Sequence, residues 1–128
     1  MMVASASVTA IVAWTLISEA PHPENLGEIL TPGEQPVASF KTFRDTATFT
    51  NKRLIVRDAQ GLTGKKVEMY SLPYKSIDMW SSENASGFDR DEELELWTRV
   101  GHIKIKIRKG LNIRRIDQLI STGILGGL

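Results

Sequence analysis

Residues 93–108 of the chain, ELELWTRVGHIKIKIR, decide the fold because their side chains alternate between polar and apolar. Strict alternation over four to eight residues is typical of a β-strand with one buried face, so it predicts strands over 93–97 and 102–108. The Arg99-Val100-Gly101 segment between them predicts a hairpin turn. We therefore expect this stretch to form two antiparallel strands whose isoleucines and leucines face a core.

The polar positions of this hairpin carry opposite charges on its two strands. Glu93 and Glu95 on the first strand stand opposite Lys106 and Lys104 on the second. Cross-strand ion pairs of this kind fix the register of a hairpin, although each exposed pair stabilises it by only about 0.2–1 kcal/mol. The sequence thus predicts an exposed face on which acidic side chains of one strand meet basic side chains of the next.

Five segments upstream show the same alternation or are rich in β-branched and aromatic residues. They cover residues 37–43, 46–50, 53–57, 66–72 and 76–83, and turn-forming residues separate them. Together with the hairpin they make seven predicted strands. We expect these strands to form one antiparallel sheet that curls on itself.

The end of the chain predicts an amphipathic helix. Gly110 ends the last strand, and Asn112 is a suitable N-cap because its side chain can accept hydrogen bonds from the first helical turn. Apolar residues then recur at helical spacing, at Ile113, Ile116, Leu119, Ile120 and Ile124. A curled sheet leaves an apolar end open, and such a helix closes it. The expected fold is mainly β: a seven-stranded antiparallel barrel or sandwich capped by a C-terminal α-helix.

The composition is that of a single globular domain. Of the 128 residues, 41% are hydrophobic and 24% are charged, which is close to the average of globular proteins. Division of this length into two domains would leave too few residues for a hydrophobic core in each domain. The net charge of +1 gives no overall attraction to nucleic acid or to an anionic membrane, and we expect no nucleic-acid partner. The absence of Cys excludes disulfides, thiol catalysis and thiolate metal sites, and it suits a cytoplasmic location.

The first 23 residues differ from the rest and predict an N-terminal extension, residues 1–23, ahead of a domain at 24–128. The first charged residue is Glu19, so the apolar run 10–17 lacks the basic region that precedes it in a signal peptide. That run is also short for a bilayer span, which needs about 20 apolar residues. We expect the extension to dock on the domain or on a neighbouring subunit. A weak targeting signal, with peripheral membrane association through this segment, is the alternative.

Two short helices are predicted on either side of this boundary. In the extension, apolar residues recur at helical spacing at Val8, Ile11, Val12 and Leu16. The Pro-containing segment 20–23 then breaks the chain, and a second short helix is predicted at 24–30.

Several motifs resemble those of the bacterial pleckstrin-homology (PH) domain family. They are TNKRLI at 50–55, QGLTGKKVE at 60–68, LPYKSI at 72–77, ENA at 83–85, GFD at 87–89 and ELELW at 93–97. The similarity runs from about Glu24 to the terminal helix and implies a PH fold, the same architecture that the strand pattern predicts. It also implies a short stand-alone protein that forms ring-like homo-oligomers. It does not imply a settled biochemical function.

The sequence offers no catalytic or metal-binding constellation, so we expect neither an enzyme nor a bound cofactor. His22 lies in a Pro-flanked linker, and His102 lies at a strand position predicted to face solvent. The acidic run 89–95 lacks the spaced oxygen ligands and the central Gly of a calcium loop. Gly61 and Gly64 are not followed by the Lys-Ser/Thr of a phosphate-binding loop, and we interpret them as hairpin glycines.

Two tryptophans are candidates for an interface with another subunit or an unidentified protein partner. Alternation places Trp97 on the side of its strand that carries the acidic residues, and Trp80 on the polar side of another strand. An outward Trp is enriched at protein interfaces. The alternative is that twist or a bulge turns either ring inward. With the charged pairs of the hairpin, the predicted interface comprises Trp80, Trp97, Glu93, Glu95, Lys104 and Lys106.

A basic cluster brackets the third and fourth predicted strands and is the candidate site for an anion or a lipid. It comprises Lys52, Arg53, Arg57, Lys65 and Lys66. Many PH domains bind phosphoinositides at a basic loop between their first two strands, but here that loop is Arg44-Asp45, which is short and balanced in charge. We favour a solvated basic edge. Binding to an anionic membrane is therefore the alternative to a protein-binding, homo-oligomeric module.

Overall fold

Nine strands and one α-helix are formed by the described residues of this computed structural model, which are 12–60, 66–83 and 91–126. The strands are β1 (Val12–Leu16), β2 (Ser18–Ala20), β3 (Pro36–Lys41), β4 (Asp45–Thr50), β5 (Arg53–Gln60), β6 (Lys66–Pro73), β7 (Ile77–Glu83), β8 (Glu92–Thr98) and β9 (Gly101–Ile107), and the helix is α1 (Ile113–Leu125). Short 3-10 helices, Glu24–Glu28 and Tyr74–Ser76, precede β3 and β7. The predicted mainly β fold with a C-terminal helix is confirmed.

The strands form two sheets whose inner faces share one core. Their orders are β1-β9-β8-β7 and β2-β3-β4-β5-β6. Neighbouring strands are antiparallel, as predicted, except β1, which runs parallel to β9. The seven predicted strands correspond to β3–β9, so β1 and β2 are additions to the predicted architecture.

These two added strands correct the predicted boundary at residue 23, because residues 12–20 belong to the sheets. β1 pairs with Ile103–Ile107 of β9, and β2 pairs with β3. Between the two strands, the N–H of Ile17 donates to the carbonyl of Lys41 at 2.8 Å, on the five-stranded sheet. The chain thus passes from one sheet to the other within a single extended segment.

The helix predicted in this segment is wrong for Val12 and Leu16, whereas Val8 and Ile11 lie outside the described residues. A spacing of four residues fits both structures, since it is close to one helical turn and is also an even number of strand positions. Trp14 packs on the same core as Val12 and Leu16, so every second residue of this segment faces the core, which is the spacing of a β-strand. Backbone pairing with β9 then favours the strand.

The core lies between the inner faces of the two sheets. Alternate residues along the central strands are almost completely buried, among them Phe40, Phe49, Leu54, Val56, Leu94, Leu96, Ile105 and Ile107. Phe40 and Phe49 meet edge to face, with ring centroids 5.8 Å apart. Each such buried side chain stabilises the fold by about 1.5–3 kcal/mol relative to an exposed one. Burial of these alternate residues is therefore the main contribution that holds the two sheets face to face.

Helix α1 covers part of this core with the predicted apolar stripe. Ile113, Ile116 and Ile120 are buried. The side chain of Asn112 accepts hydrogen bonds from the N–H groups of two residues in the first turn, which confirms it as the N-cap. In the last turns Gly123 lies against the ring of Tyr74, which leaves no room for a side chain at that position.

The segment between β2 and β3 covers part of the outer face of the five-stranded sheet. The helix predicted at 24–30 is instead one short 3-10 helix, Glu24–Glu28, in which only Leu26 is buried. Gly27 disfavours a longer α-helix, because it adds backbone freedom and no side chain to bury. Leu26 and Ile55 are buried here although neither belongs to the central core.

Glu34 ties this segment to β5. Its carboxylate accepts hydrogen bonds from the N–H of Thr31 at 3.0 Å, the hydroxyl of Thr50 at 2.7 Å and Nε of Arg53 at 2.8 Å. Burial by itself raises the pKa of a carboxyl group. Here the hydrogen bonds from Arg53, Thr31 and Thr50 outweigh burial and lower the pKa of Glu34 from 4.5 to about 2.

We predict that Gly123→Ala destabilises the fold. The added methyl group would overlap the ring of Tyr74, which is 1% exposed and is held by a hydrogen bond from its hydroxyl to the carbonyl of Thr50. Overpacking of this kind costs about 1–3 kcal/mol, so urea unfolding should show a loss of that size. The exposed helix residue Gln118 provides a control, because Gln118→Ala should change the free energy of unfolding by about 0.5 kcal/mol at most. Wild-type stability for Gly123→Ala would contradict this packing.

A second prediction concerns acid stability. The pKa of Glu34 is lower in the folded state, so its contribution is present above the ordinary value of 4.5 and is lost as the pH falls towards about 2. A shift of this size corresponds to about 3 kcal/mol. Urea unfolding of wild type and Glu34→Gln should therefore differ most above pH 5 and converge towards pH 2. Glu24→Gln, at an exposed carboxylate, should follow the wild-type profile, and a constant gap for Glu34→Gln at all pH values would contradict the assignment.

Candidate interaction surface

Five of the six residues predicted at an interface lie together on the outer face of the four-stranded sheet. Glu93, Glu95 and Trp97 alternate along β8 with the buried Leu94 and Leu96, and β9 alternates in the same way. The outward set, which we call the charged face, consists of Glu93, Glu95, Trp97, His102, Lys104 and Lys106. Nearly all of this face was predictable because one hairpin positions it.

The register of the hairpin is confirmed, but the ion pairs on it differ from those predicted. Glu93 stands opposite Lys106 and Glu95 opposite Lys104. Nevertheless, Nζ of Lys104 lies 3.8 Å from Oε1 of Glu93, the diagonal neighbour, and Oε2 of Glu95 lies 2.7 Å from Nε2 of His102. Strand twist brings diagonal neighbours within reach of long side chains, so register alone does not determine which charges meet.

His102 is buried, which corrects its predicted exposure to solvent. Its exposed fraction is 8%, and its ring stacks on Trp97 with centroids 5.2 Å apart and planes 11° from parallel. The two residues are direct partners across the β8–β9 pair, so the indole covers the imidazole. Trp97 itself stays half-buried and on the outer side of the sheet, as alternation predicted.

Trp80 does not belong to the charged face. The register between β7 and β8 shifts between Ile77 and Met79, and this irregularity reverses the alternation that follows. Met79 is consequently 53% exposed beside Trp97. The ring of Trp80 packs on the core instead, and its Nε1 donates to Oδ1 of Asp117 on α1 at 2.9 Å.

Both arginines of the predicted basic cluster are paired with neighbouring acids. Arg53 donates to both carboxylate oxygens of Glu34, from Nε at 2.8 Å and from Nη2 at 3.0 Å. Arg57 forms an ion pair with Asp45. Of the remaining members Lys52 and Lys66 are exposed, and Lys65 lies outside the described residues. Arg53 therefore ties the covering segment to the sheet, and Arg57 pairs with the neighbouring strand β4, so neither arginine offers free charge.

Other functional groups are sparse in the part of the chain that the structure describes. His22 is paired through Nδ1 with Oγ of Ser39 at 2.7 Å. The described residues contain no group of three or more His, Asp or Glu side chains arranged to hold a metal ion. Nor is any helix within the described ranges long and apolar enough to cross a bilayer.

Two proteins of Bacillus subtilis are similar to this chain in sequence. The chain is 52% identical over 81 residues to uncharacterized protein YjqA of Bacillus subtilis (strain 168), a match covering 63% of this chain and 65% of YjqA. This match therefore spans slightly less than two thirds of YjqA. With uncharacterized protein YozO of the same organism the identity is 30% over 105 residues, covering 82% of this chain and 91% of YozO.

A solved structure shares the arrangement of the sheets. It is the crystal structure at 2.00 Å resolution of a DUF1696 family protein with a pleckstrin-homology domain from Shewanella loihica PV-4, with a TM-score of 0.76 and 38% identity. The superposition covers 84% of this chain and 96% of that one. The family model described as the bacterial PH domain matches residues 7–124, which include β1 and most of α1. The chain therefore belongs to the bacterial PH domain family.

Proposed function

We propose that this PH domain is a non-enzymatic assembly module, which self-associates through the charged face and presents its remaining surface to a protein partner. The observation that carries the proposal is an open sheet face where exposed Met79 and half-buried Trp97 adjoin facing rows of acidic and basic side chains. Large apolar side chains surrounded by polar ones are typical of binding hot spots.

The charges of this face suit contact with a second copy. Acidic residues lie on β8 and basic residues on β9. If two copies face each other across a two-fold axis that runs parallel to these strands, Glu93 of one copy lies against Lys106 of the other. Lys106 is exposed and has no ion pair among those found in the described residues. Complementary charges of this kind set orientation and association rate more than affinity, which would come from the apolar residues.

The alternative, an anionic membrane or ligand at the basic cluster, has less support. Arg53 and Arg57, its two arginines, pair with Glu34 and Asp45. Phosphate capture normally uses several converging cations, and the exposed Lys52 and Lys66 lie at opposite ends of the β5–β6 pair.

Sedimentation velocity tests the proposal. We expect wild type to form oligomers at micromolar concentration, and Met79→Lys and Lys106→Glu to shift the population to smaller species by weakening association at least tenfold. Met79 is exposed, so Met79→Lys should leave the thermal unfolding of the monomer unchanged. Lys106→Glu places a like charge opposite Glu93 and should lower the stability of the monomer by only about 0.2–1 kcal/mol. Raised salt should weaken association of wild type as well, because the rows of charge contribute to it.

Matched variants away from the charged face serve as controls. Lys66→Glu reverses an exposed charge at the edge of the other sheet, and it should leave the sedimentation profile of wild type unchanged. A wild-type protein that stays monomeric at tens of micromolar would refute self-association. Oligomers that tolerate both Met79→Lys and Lys106→Glu would show that a different surface makes the contact.

A further inference from the structure

One large cavity has apolar walls that come from both sheets. Its inner part is formed by Val12 and Trp14 of β1, Tyr70 and Leu72 of β6 and Ile103 of β9. Val12 and Ile103 are partners in the β1–β9 pair, and the rings of Trp14 and Tyr70 meet edge to face with centroids 5.6 Å apart. The interior of the cavity therefore suits an alkyl chain better than a polar group.

The size and the opening of this cavity suit a small ligand that enters from solvent. Its volume is about 770 Å³, within the usual range of about 300–1,000 Å³ for ligand pockets. None of the described residues of α1 lines it, so the helix that covers the core leaves it open. Val100 of the β8–β9 turn belongs to its lining and is 83% exposed. This residue therefore marks the mouth of the cavity.

Two cations lie at this mouth. Ile77 and Thr98 are partners in the β7–β8 pair, so Lys75 and Arg99, which lie just beyond that pair along the chain, reach the same side of the opening. Both cations are exposed, and neither takes part in an ion pair within the described residues. Asp78 is the only acid among the described residues of the lining. The mouth therefore has one more positive charge than negative, and both cations are available to an anion.

The cations at the adjoining smaller cavity, of about 360 Å³, are paired with acids instead. Nη1 of Arg44 lies 3.7 Å from Oδ1 of Asp58, and Arg57 forms an ion pair with Asp45. An anion that approached these arginines would compete with their carboxylate partners. A negatively charged group is therefore bound more favourably at the mouth of the larger cavity.

We propose that the larger cavity binds a single-chain anionic amphiphile from solution, a medium-chain carboxylate, with its head at Lys75 and Arg99 and its chain against Trp14 and Tyr70. Burial of the chain supplies most of the affinity, because each fully buried methylene group contributes about fourfold. The cations are exposed, so each ion pair with the head contributes less and is weakened by salt. The cavity shares no described residue with the charged face, so this site is separate from the proposed assembly surface.

Fluorescence quenching by brominated carboxylates tests the position of the alkyl chain. Bromine quenches an indole that it contacts, and of the three tryptophans only Trp14 lines the cavity. We expect 8-bromooctanoate to quench wild type and Trp97→Phe saturably, and to lose this effect in Trp14→Phe. The 2-bromo isomer, whose bromine lies beside the head, should bind similarly but quench less. The shorter 6-bromohexanoate should bind roughly tenfold more weakly, because it buries two fewer methylene groups.

Variants at the mouth test the position of the head. Lys75→Gln and Arg99→Gln should each weaken binding of 8-bromooctanoate about twofold to fivefold, and the double variant about tenfold. Asp78→Asn should strengthen binding about twofold, because it removes the like charge beside the head. Lys109→Gln, at an exposed lysine outside the lining, should bind as wild type does. Binding of the neutral 8-bromo-1-octanol should respond neither to these variants nor to salt.

Four results would each overturn the proposal. The first is the absence of saturable quenching of wild type up to millimolar 8-bromooctanoate. The second is quenching that persists in Trp14→Phe, and the third is equal quenching by the 2-bromo isomer, since either would place the chain elsewhere. The fourth is unchanged affinity in the double variant of Lys75 and Arg99. Both of these residues are exposed, so the double variant should fold even if Trp14→Phe does not.

Discussion

The segment from Val12 to Ala20 is the constraint on which the rest of the described structure depends, because its backbone pairs with both sheets. β1 forms one edge of the four-stranded sheet and β2 forms one edge of the five-stranded sheet. Within the described ranges the chain passes between the sheets at only one other place, the 3-10 helix Tyr74–Ser76 between β6 and β7. These two connections keep the inner faces of the sheets together. Burial of the apolar residues between those faces provides the driving force for folding.

The sequence predicted the features that depend on local periodicity, and it missed those that depend on a single irregularity or a distant partner. Alternation located β3–β9, and the short turn set the register of the charged face. The sequence pattern does not locate the extra residue at the register shift between Ile77 and Met79. Because of this shift, Trp80 faces the core and not the surface that alternation had predicted. Glu34 meets Arg53, 19 positions away, so its buried pair follows from the tertiary fold alone.

The two outer faces of the sandwich differ in how their charges are used. On the five-stranded sheet, Arg53 and Arg57 are paired with acids, and the segment containing Leu26 covers part of the surface. On the four-stranded sheet, the charged face has no covering segment among the described residues, and Met79 is exposed there. Charges that are paired within a fold are costly to separate from their partners, whereas open charge beside an apolar residue is available to another molecule.

The parallel pairing of β1 with β9 also has a consequence for how the chain acquires its structure during translation. Val12 has Ile103 as its partner, so about 90 further residues must leave the ribosome after Val12 before this ladder can begin to form. At the usual rates of synthesis this takes roughly 5–20 s. Contacts between such distant positions also slow the folding of an isolated domain. The four-stranded sheet is therefore completed late, after the hairpins of the five-stranded sheet have had time to form.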